Sequence, residues 1–100
     1  MARSQYKLVR GGVELGVVTH LEDDQPNHIG HFSAWPAFGE VKKLFDEETR
    51  LLETDQSSEK WRQARNRLDE PGLYLEPYEW VGERIAKPLL HIKDEEVWWR

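Results

Sequence analysis

The feature that most constrains the fold of this chain is the glycine pair at residues 11–12, which separates two stretches of alternating apolar and polar residues. Glycine accepts the positive φ angles of a two-residue hairpin turn, so the chain around this pair is predicted to form a β-hairpin. A turn at this pair places Arg10 opposite Val13 and Leu8 opposite Leu15. The apolar side chains of both strands then share one face, as a half-buried sheet requires.

Further strands are predicted on both sides of a helical middle region. The segment EDDQPN at residues 22–27 predicts a turn, and a third strand is expected over residues 28–35. After the helices, the alternating sequence LYLEP predicts a strand at residues 73–77, and another strand is expected from Ile85 onward. A turn at residues 94–95 would pair the last residues of the chain back against it.

Two helices are predicted between these strands. The first runs from Pro36 to about Glu53, because apolar residues recur there at spacings of three and four and proline is favoured at the first helical position. The second covers residues 57–70, with Ser57 or Ser58 as the residue that caps its amino terminus. Glu47 and Glu48 in the first helix are expected on a solvated face.

The order of these elements predicts the fold class. Strands grouped before and after a pair of helices are typical of the α+β class. We expect a mostly antiparallel sheet of five to six strands, in the order βββ-αα-ββ(β), with the two helices packed on one face. Residues 1–100 are expected to form a single domain, because 100 residues is an ordinary domain length.

Composition and charge exclude several classes of protein. The chain has no cysteine, which rules out disulfides, thiolate metal sites and a cysteine nucleophile. No apolar run is long enough to span a membrane and no secretion signal is recognised, so a cytoplasmic protein with no membrane partner is expected. The formal net charge of −5 is opposite to that of a typical nucleic-acid binder.

The second predicted helix, residues 57–70, offers the main cationic surface. Its basic residues are interrupted by three acidic ones, so a solvated helix face is the simpler interpretation and nucleic acid is not expected as a partner. Association with nucleic acid through this helix is kept as the weakest alternative. The basic residues are Lys60, Arg62, Arg65 and Arg67.

The histidines of the second and third strands suggest a metal site. If Thr19 pairs with Phe32, then His20 lies opposite His31 on the solvent face, with Glu22 or Asp23 nearby. Two imidazoles and one carboxylate can hold a divalent metal ion when water fills the remaining positions. His20, His31 and Glu22 are therefore the predicted ligands. The alternatives are a polar sheet face without metal and a pH-sensitive histidine pair.

Aromatic residues are the strongest indication of a partner. Tyrosine and tryptophan are favoured at protein interfaces, and five tryptophans are many for one small core. Adjacent tryptophans at the carboxyl end of the chain must face opposite sides of a strand. The predicted partner-binding residues are Trp35, Tyr78, Trp80, Trp98 and Trp99.

No catalytic or nucleotide-binding motif occurs in the sequence. We therefore expect a non-catalytic module that binds a protein partner or a second copy of itself as a homodimer, through the aromatic residues and an edge strand near Pro88, with no cofactor. The main alternative is a small protein that binds a metal or another ligand through the face of His20 and His31. A minor enzyme that uses the same face belongs to this alternative.

Overall fold

A computed structural model describes residues 3–100, which form one seven-stranded antiparallel sheet and two α-helices. This confirms the predicted α+β class, with seven strands rather than five to six. No helix in the described part of the chain is both long enough and apolar enough to cross a membrane. The elements are β1 (Gln5–Arg10), β2 (Val13–Asp24), β3 (Asn27–Ala34), α1 (Lys42–Asp55), α2 (Glu59–Asp69), β4 (Leu73–Pro77), β5 (Ile85–Ala86), β6 (Leu90–Lys93) and β7 (Glu96–Trp99).

The sheet is curled, and the order of its strands explains why. The strands follow one another as β5-β4-β1-β2-β3-β7-β6, so β5 and β6 form its two opposite edges. Only residues 87–89 connect these two edges in the chain. Four residue steps span at most about 14 Å, so the two edges must approach one another. Pro88 lies in this connection, and the predicted fifth strand is therefore two strands on opposite edges.

A bulge in the first hairpin changes which residues face the core. Arg10 pairs with Val13 as predicted, but the register then shifts by one and Leu8 pairs with Gly16 instead of Leu15. Leu15 is the extra residue that the bulge accommodates. After the bulge, Val18 lies on the core face with Leu8, whereas Val17 faces the other side of the sheet.

The core lies on the inner face of the curled sheet, and both helices contribute to it. Phe45 of α1 and Leu68 of α2 are fully buried against apolar side chains of the strands. Phe38 packs between Phe32 and Phe45, with ring centroids 4.8 and 5.5 Å apart. The buried residues of this core cluster are Leu8, Leu15, Val18, Phe32, Phe38, Phe45, Leu68, Leu73, Leu75, Leu90, Ile92, Val97 and Trp99.

The first predicted helix is divided in two. Residues Pro36–Glu40 form a short 3-10 helix, and α1 begins only at Lys42. The interruption lies at Val41, whose dihedral angles (φ −119°, ψ 0°) are outside the α-helical range. The second helix begins as predicted, with Ser58 as its N-cap.

The helix pair covers the sheet edge formed by β6. The hydroxyl of Thr49 donates to the carbonyl oxygen of Ile92 at 2.8 Å, and the guanidinium of Arg65 donates to that of Leu90 at 2.6 Å. Both carbonyls belong to the strand after Pro88 that the sequence predicts as an exposed edge. Because these acceptors are satisfied from within the chain, β6 is protected from pairing with another strand.

A buried polar network lies where α1, α2 and β6 meet. The carboxylate of Glu48 is fully buried and accepts hydrogen bonds from His91 Nδ1 at 2.9 Å and Trp61 Nε1 at 2.8 Å. Arg65 approaches the same carboxylate at 3.6 Å and forms a bidentate pair with Asp69. The expectation that Glu48 and Arg65 lie on solvated helix faces is therefore wrong, because both side chains turn inward to polar partners.

The cap of α2 provides a first test of the structure. The Ser58 hydroxyl accepts a hydrogen bond from the Trp61 amide at 3.1 Å and donates to the Asp55 carbonyl. Ser58→Ala is expected to lower the free energy of unfolding by about 1 kcal/mol, since the Trp61 amide in the first turn is left without its acceptor. Urea unfolding measures this. Ser57→Ala is the control, and equal losses in the two variants would contradict the assignment of the cap.

Candidate metal centre

The observed register of β2 and β3 separates the predicted ligand pair. Thr19 pairs with His31, and His20 pairs with Gly30, one position away from the predicted register. Adjacent residues of a strand point to opposite faces, so His20 lies on the inner face and His31 on the outer face. The prediction that His20 and His31 lie side by side is therefore wrong. The bulge in the first hairpin does not cause this; the two strands simply pair one residue out of the expected register.

A second bulge assembles a different group of side chains. The register between β2 and β3 shifts between His20 and Glu22, so that Asp23 pairs directly with His28. Without an extra residue, positions 20 and 23 of a strand would face opposite sides of the sheet. The bulge at Leu21 brings Asp23 onto the face of His20, where it meets His28 from the neighbouring strand.

Two imidazole side chains converge on one carboxylate oxygen atom of Asp23. Asp23 Oδ1 lies 2.7 Å from His20 Nε2 and 2.6 Å from His28 Nδ1. The imidazole rings are 5.5 Å apart, and one ligand atom from each of the three residues lies within 4.8 Å of the others. Within the described residues, this is the one group of three histidine or carboxylate side chains that meets such a criterion.

The hydrogen bonds set the electrostatics of Asp23. Hydrogen bonds donated by His28, which has the larger effect, and by His20 hold the pKa of the Asp23 carboxyl below its ordinary value. A lowered folded-state pKa means that the carboxylate stabilises the fold above its ordinary titration range. This contribution is lost as the pH falls through the lowered pKa.

Trp99 forms the buried floor beside the histidines. Its ring is 5.7 Å from that of His20 and 5.5 Å from that of His28. Gly30 makes this packing possible, because a Cβ atom there would overlap the carbonyl oxygen of Thr19 and lie 3.3 Å from Trp99 Cζ3. The Trp99 indole nitrogen is buried without a hydrogen-bond partner among the described residues.

This arrangement fits a transition-metal ion. Zinc binds imidazole nitrogen and carboxylate oxygen at about 2.0–2.2 Å, so ligand atoms around a tetrahedral ion lie about 3.3 Å apart. The side chains of His20, Asp23 and His28 are 29%, 46% and 43% exposed, which leaves them free to open from hydrogen-bonding distance to that separation.

The other predicted ligands lie elsewhere. His31 is on the outer face, where its Nε2 lies 3.3 Å from Glu95 Oε2. Glu22 pairs with Ile29 and is exposed, but it points to the face opposite that of Asp23. Of the predicted metal ligands, only His20 belongs to the group that the structure brings together.

The predicted partner-binding aromatics do not form one surface. Trp99 is 3% exposed and belongs to the core, whereas Trp98 is half-buried on the other face, 5.4 Å from the ring of His91. Trp35 and Tyr78 are half-buried and pack edge to face at 6.0 Å. Trp80 is 40% exposed, and its indole donates to the carbonyl of Gln5 at 2.6 Å. Trp80 is thus the most accessible of the five.

Comparison with known proteins adds no assignment. No family model, no curated protein and no solved structure matches this chain. The function must therefore be argued from the chemistry of its own residues. The sequence did contain a signal for the centre, since Asp23 and His28 flank the proline turn. Their position on the same face of the sheet as His20 depends on a bulge that strand alternation does not predict.

Proposed function

We propose that this protein binds a divalent transition-metal ion through His20, Asp23 and His28. The observation that supports this most directly is the convergence of two imidazole nitrogens from different strands on Asp23 Oδ1, at 2.7 and 2.6 Å. A metal ion placed between these atoms would replace two hydrogen bonds with three coordination bonds. Trp99 and Gly30 support the site from below and limit the orientations of both rings.

The donor set selects the kind of metal. Imidazole suits zinc, nickel, copper and ferrous iron, whereas calcium and magnesium prefer sites made entirely of oxygen. Three protein ligands leave at least one coordination position open.

Calorimetric titration with Zn²⁺ and Ni²⁺ tests this proposal. We expect one ion per chain and a loss of affinity of at least about 100-fold in His20→Ala, Asp23→Asn or His28→Ala, since each removes one of three ligands. His31→Ala is the matched control, because it removes an exposed histidine of the same strand pair without touching the centre.

Two results would contradict the metal centre. One is the absence of binding to the unmodified chain at millimolar metal. The other is an equal loss of affinity in His31→Ala and His20→Ala, which would indicate non-specific binding to surface histidines.

A second candidate function, association with a protein partner, is favoured by one observation. Trp80 is 40% exposed and the next residue, Val81, is fully exposed. Large apolar side chains exposed at neighbouring positions are a common feature of interaction surfaces. The other predicted interface aromatics give less support, because they are partly or fully buried.

A further inference from the structure

We infer that a metal ion held by His20, Asp23 and His28 takes its next ligand from a second copy of this chain, so that the protein forms a metal-dependent dimer. This inference rests on the proposed function, because without metal binding there is no bridge. It names the partner of that same site. Two features of the structure point to a second copy, and a third makes its association depend on the metal ion.

The first feature is incomplete coordination. Structural zinc sites normally have four protein ligands, and residues 3–100 bring three together here. Glu22 and Asp24 flank Asp23 but lie on the opposite face of the strand, so they cannot reach the ion held by their own chain. Both are exposed, and neither takes part in an ion pair within the described residues. The tip of the β2–β3 hairpin, residues 22–28, therefore carries both a metal site with three protein ligands and exposed carboxylates outside that site.

This combination fits self-association. In a two-fold dimer the same surface meets itself, so each copy can complete the site of the other. A tip that offers three ligands on one face and a spare carboxylate on the other meets this condition. A carboxylate from Glu22 or Asp24 of the second copy would then fill the open position.

The second feature is the exposure of apolar side chains at Leu21, beside the metal centre in the chain, and in the loop of Trp80 and Val81. Three of the four exposed large apolar side chains are Leu21 at 43%, Trp80 at 40% and Val81 at 100%. Leu21 directly follows His20. Trp80 packs on Tyr6 at 5.5 Å, and Tyr6 in turn lies 6.4 Å from Trp99, the floor of the metal centre. A dimer around the metal would remove these side chains from water.

The third feature is charge. Residues 22–24 are three consecutive acids, and the chain as a whole carries −5. Two such tips repel one another in the absence of a cation. A divalent ion at each site removes most of this repulsion, which makes the dimer dependent on metal rather than merely assisted by it.

Sedimentation velocity of the full chain, with one equivalent of Zn²⁺ or with EDTA, tests the inference. We expect a monomer in EDTA and a dimer with Zn²⁺. With Zn²⁺, Glu22→Gln combined with Asp24→Asn is expected to retain zinc binding in calorimetry and to remain monomeric, because it lacks the bridging carboxylates even though it carries less of the charge that repels a second copy. Val81→Ser is expected to retain zinc binding and to raise the dimer dissociation constant about tenfold, which corresponds to about 1.4 kcal/mol.

Glu40→Gln is the control, because it removes an exposed carboxylate from the short 3-10 helix, outside the hairpin tip. It is expected to dimerise as the unmodified chain does. A chain that binds zinc but stays monomeric would overturn the dimer and leave the proposed function intact. A chain that binds no zinc would overturn both. A dimer that persists unchanged in EDTA would overturn the metal dependence.

Discussion

Replacement of Glu48 by alanine is expected to lower the free energy of unfolding by about 3–5 kcal/mol, the range observed when one partner of a buried charged pair is removed. The Glu48 carboxylate is fully buried and accepts hydrogen bonds from His91 and Trp61. Its removal leaves the buried His91 and the half-buried Trp61 without their acceptor and leaves Arg65 with one fewer negative neighbour. Because total stabilities of small domains are about 5–15 kcal/mol, this single change consumes a large part of the whole.

Urea unfolding followed by tryptophan fluorescence measures this loss, since Trp61 lies within the network. Glu47→Ala is the matched control. Glu47 is the preceding residue of the same helix, but its side chain is 45% exposed and pairs with the exposed Arg50. Exposed pairs of this kind contribute about 0–1 kcal/mol. A loss below about 1 kcal/mol in Glu48→Ala would show that the network does not hold the helix pair to the sheet.

Glu48→Gln separates charge from hydrogen bonding. Glutamine retains an acceptor oxygen and nearly the same volume, so it can still receive the hydrogen bond from Trp61 or from His91. We therefore expect a smaller loss than for alanine. An equal loss in the two variants would assign the effect to the negative charge beside Arg65 rather than to the unsatisfied donors.

Gly30→Ala is expected to lower the free energy of unfolding by about 2–3 kcal/mol, at the upper end of the cost of overpacking. A Cβ atom at Gly30 would overlap the backbone carbonyl of Thr19, which cannot turn away as a flexible side chain could. It would also press on Trp99 and so displace the floor beneath His20. The same variant is therefore expected to weaken metal binding as well as stability.

Gly39→Ala is the control for this substitution. A Cβ atom at Gly39 would have no heavy atom within 4 Å in the described structure, and the residue is exposed. Its expected effect is within about 0.5 kcal/mol. Thermal unfolding of the two variants side by side decides the matter. Similar midpoints would mean that the sheet can absorb a methyl group at Gly30, contrary to the close packing described above.

The parts of the fold that the sequence predicted are those that depend on neighbouring residues. The last hairpin is an example, because the predicted turn at 94–95 is confirmed and pairs Leu90 with Trp99 and Ile92 with Val97. A two-residue alternation is a local property, and it determines the register once the turn position is known, provided that no bulge intervenes. Asp94 takes the positive φ of 56° that glycine would normally supply.

The candidate site was predicted only in part, and the reason is the sensitivity of strands to a single residue. The residue types were correct, since two histidines and a carboxylate do meet on the sheet. The partners were not, because a one-residue change in register moved His31 to the outer face and the bulge at Leu21 moved Asp23 to the inner one. The alternation of apolar and polar residues along a strand does not indicate where a bulge inserts an extra residue.

By itself, then, the sequence determined the hairpins, the helical middle region, the Ser58 cap and the α+β class, because turn chemistry and hydrophobic periodicity act over a few residues. Only the tertiary structure decided which polar groups meet. Whether Glu48 faces solvent or His91, and whether His20 meets His31 or Asp23, depends on how distant strands and helices pack around bulges. Those contacts depend on burial and hydrogen bonding between residues that are distant in the sequence. A local sequence pattern therefore does not predict them.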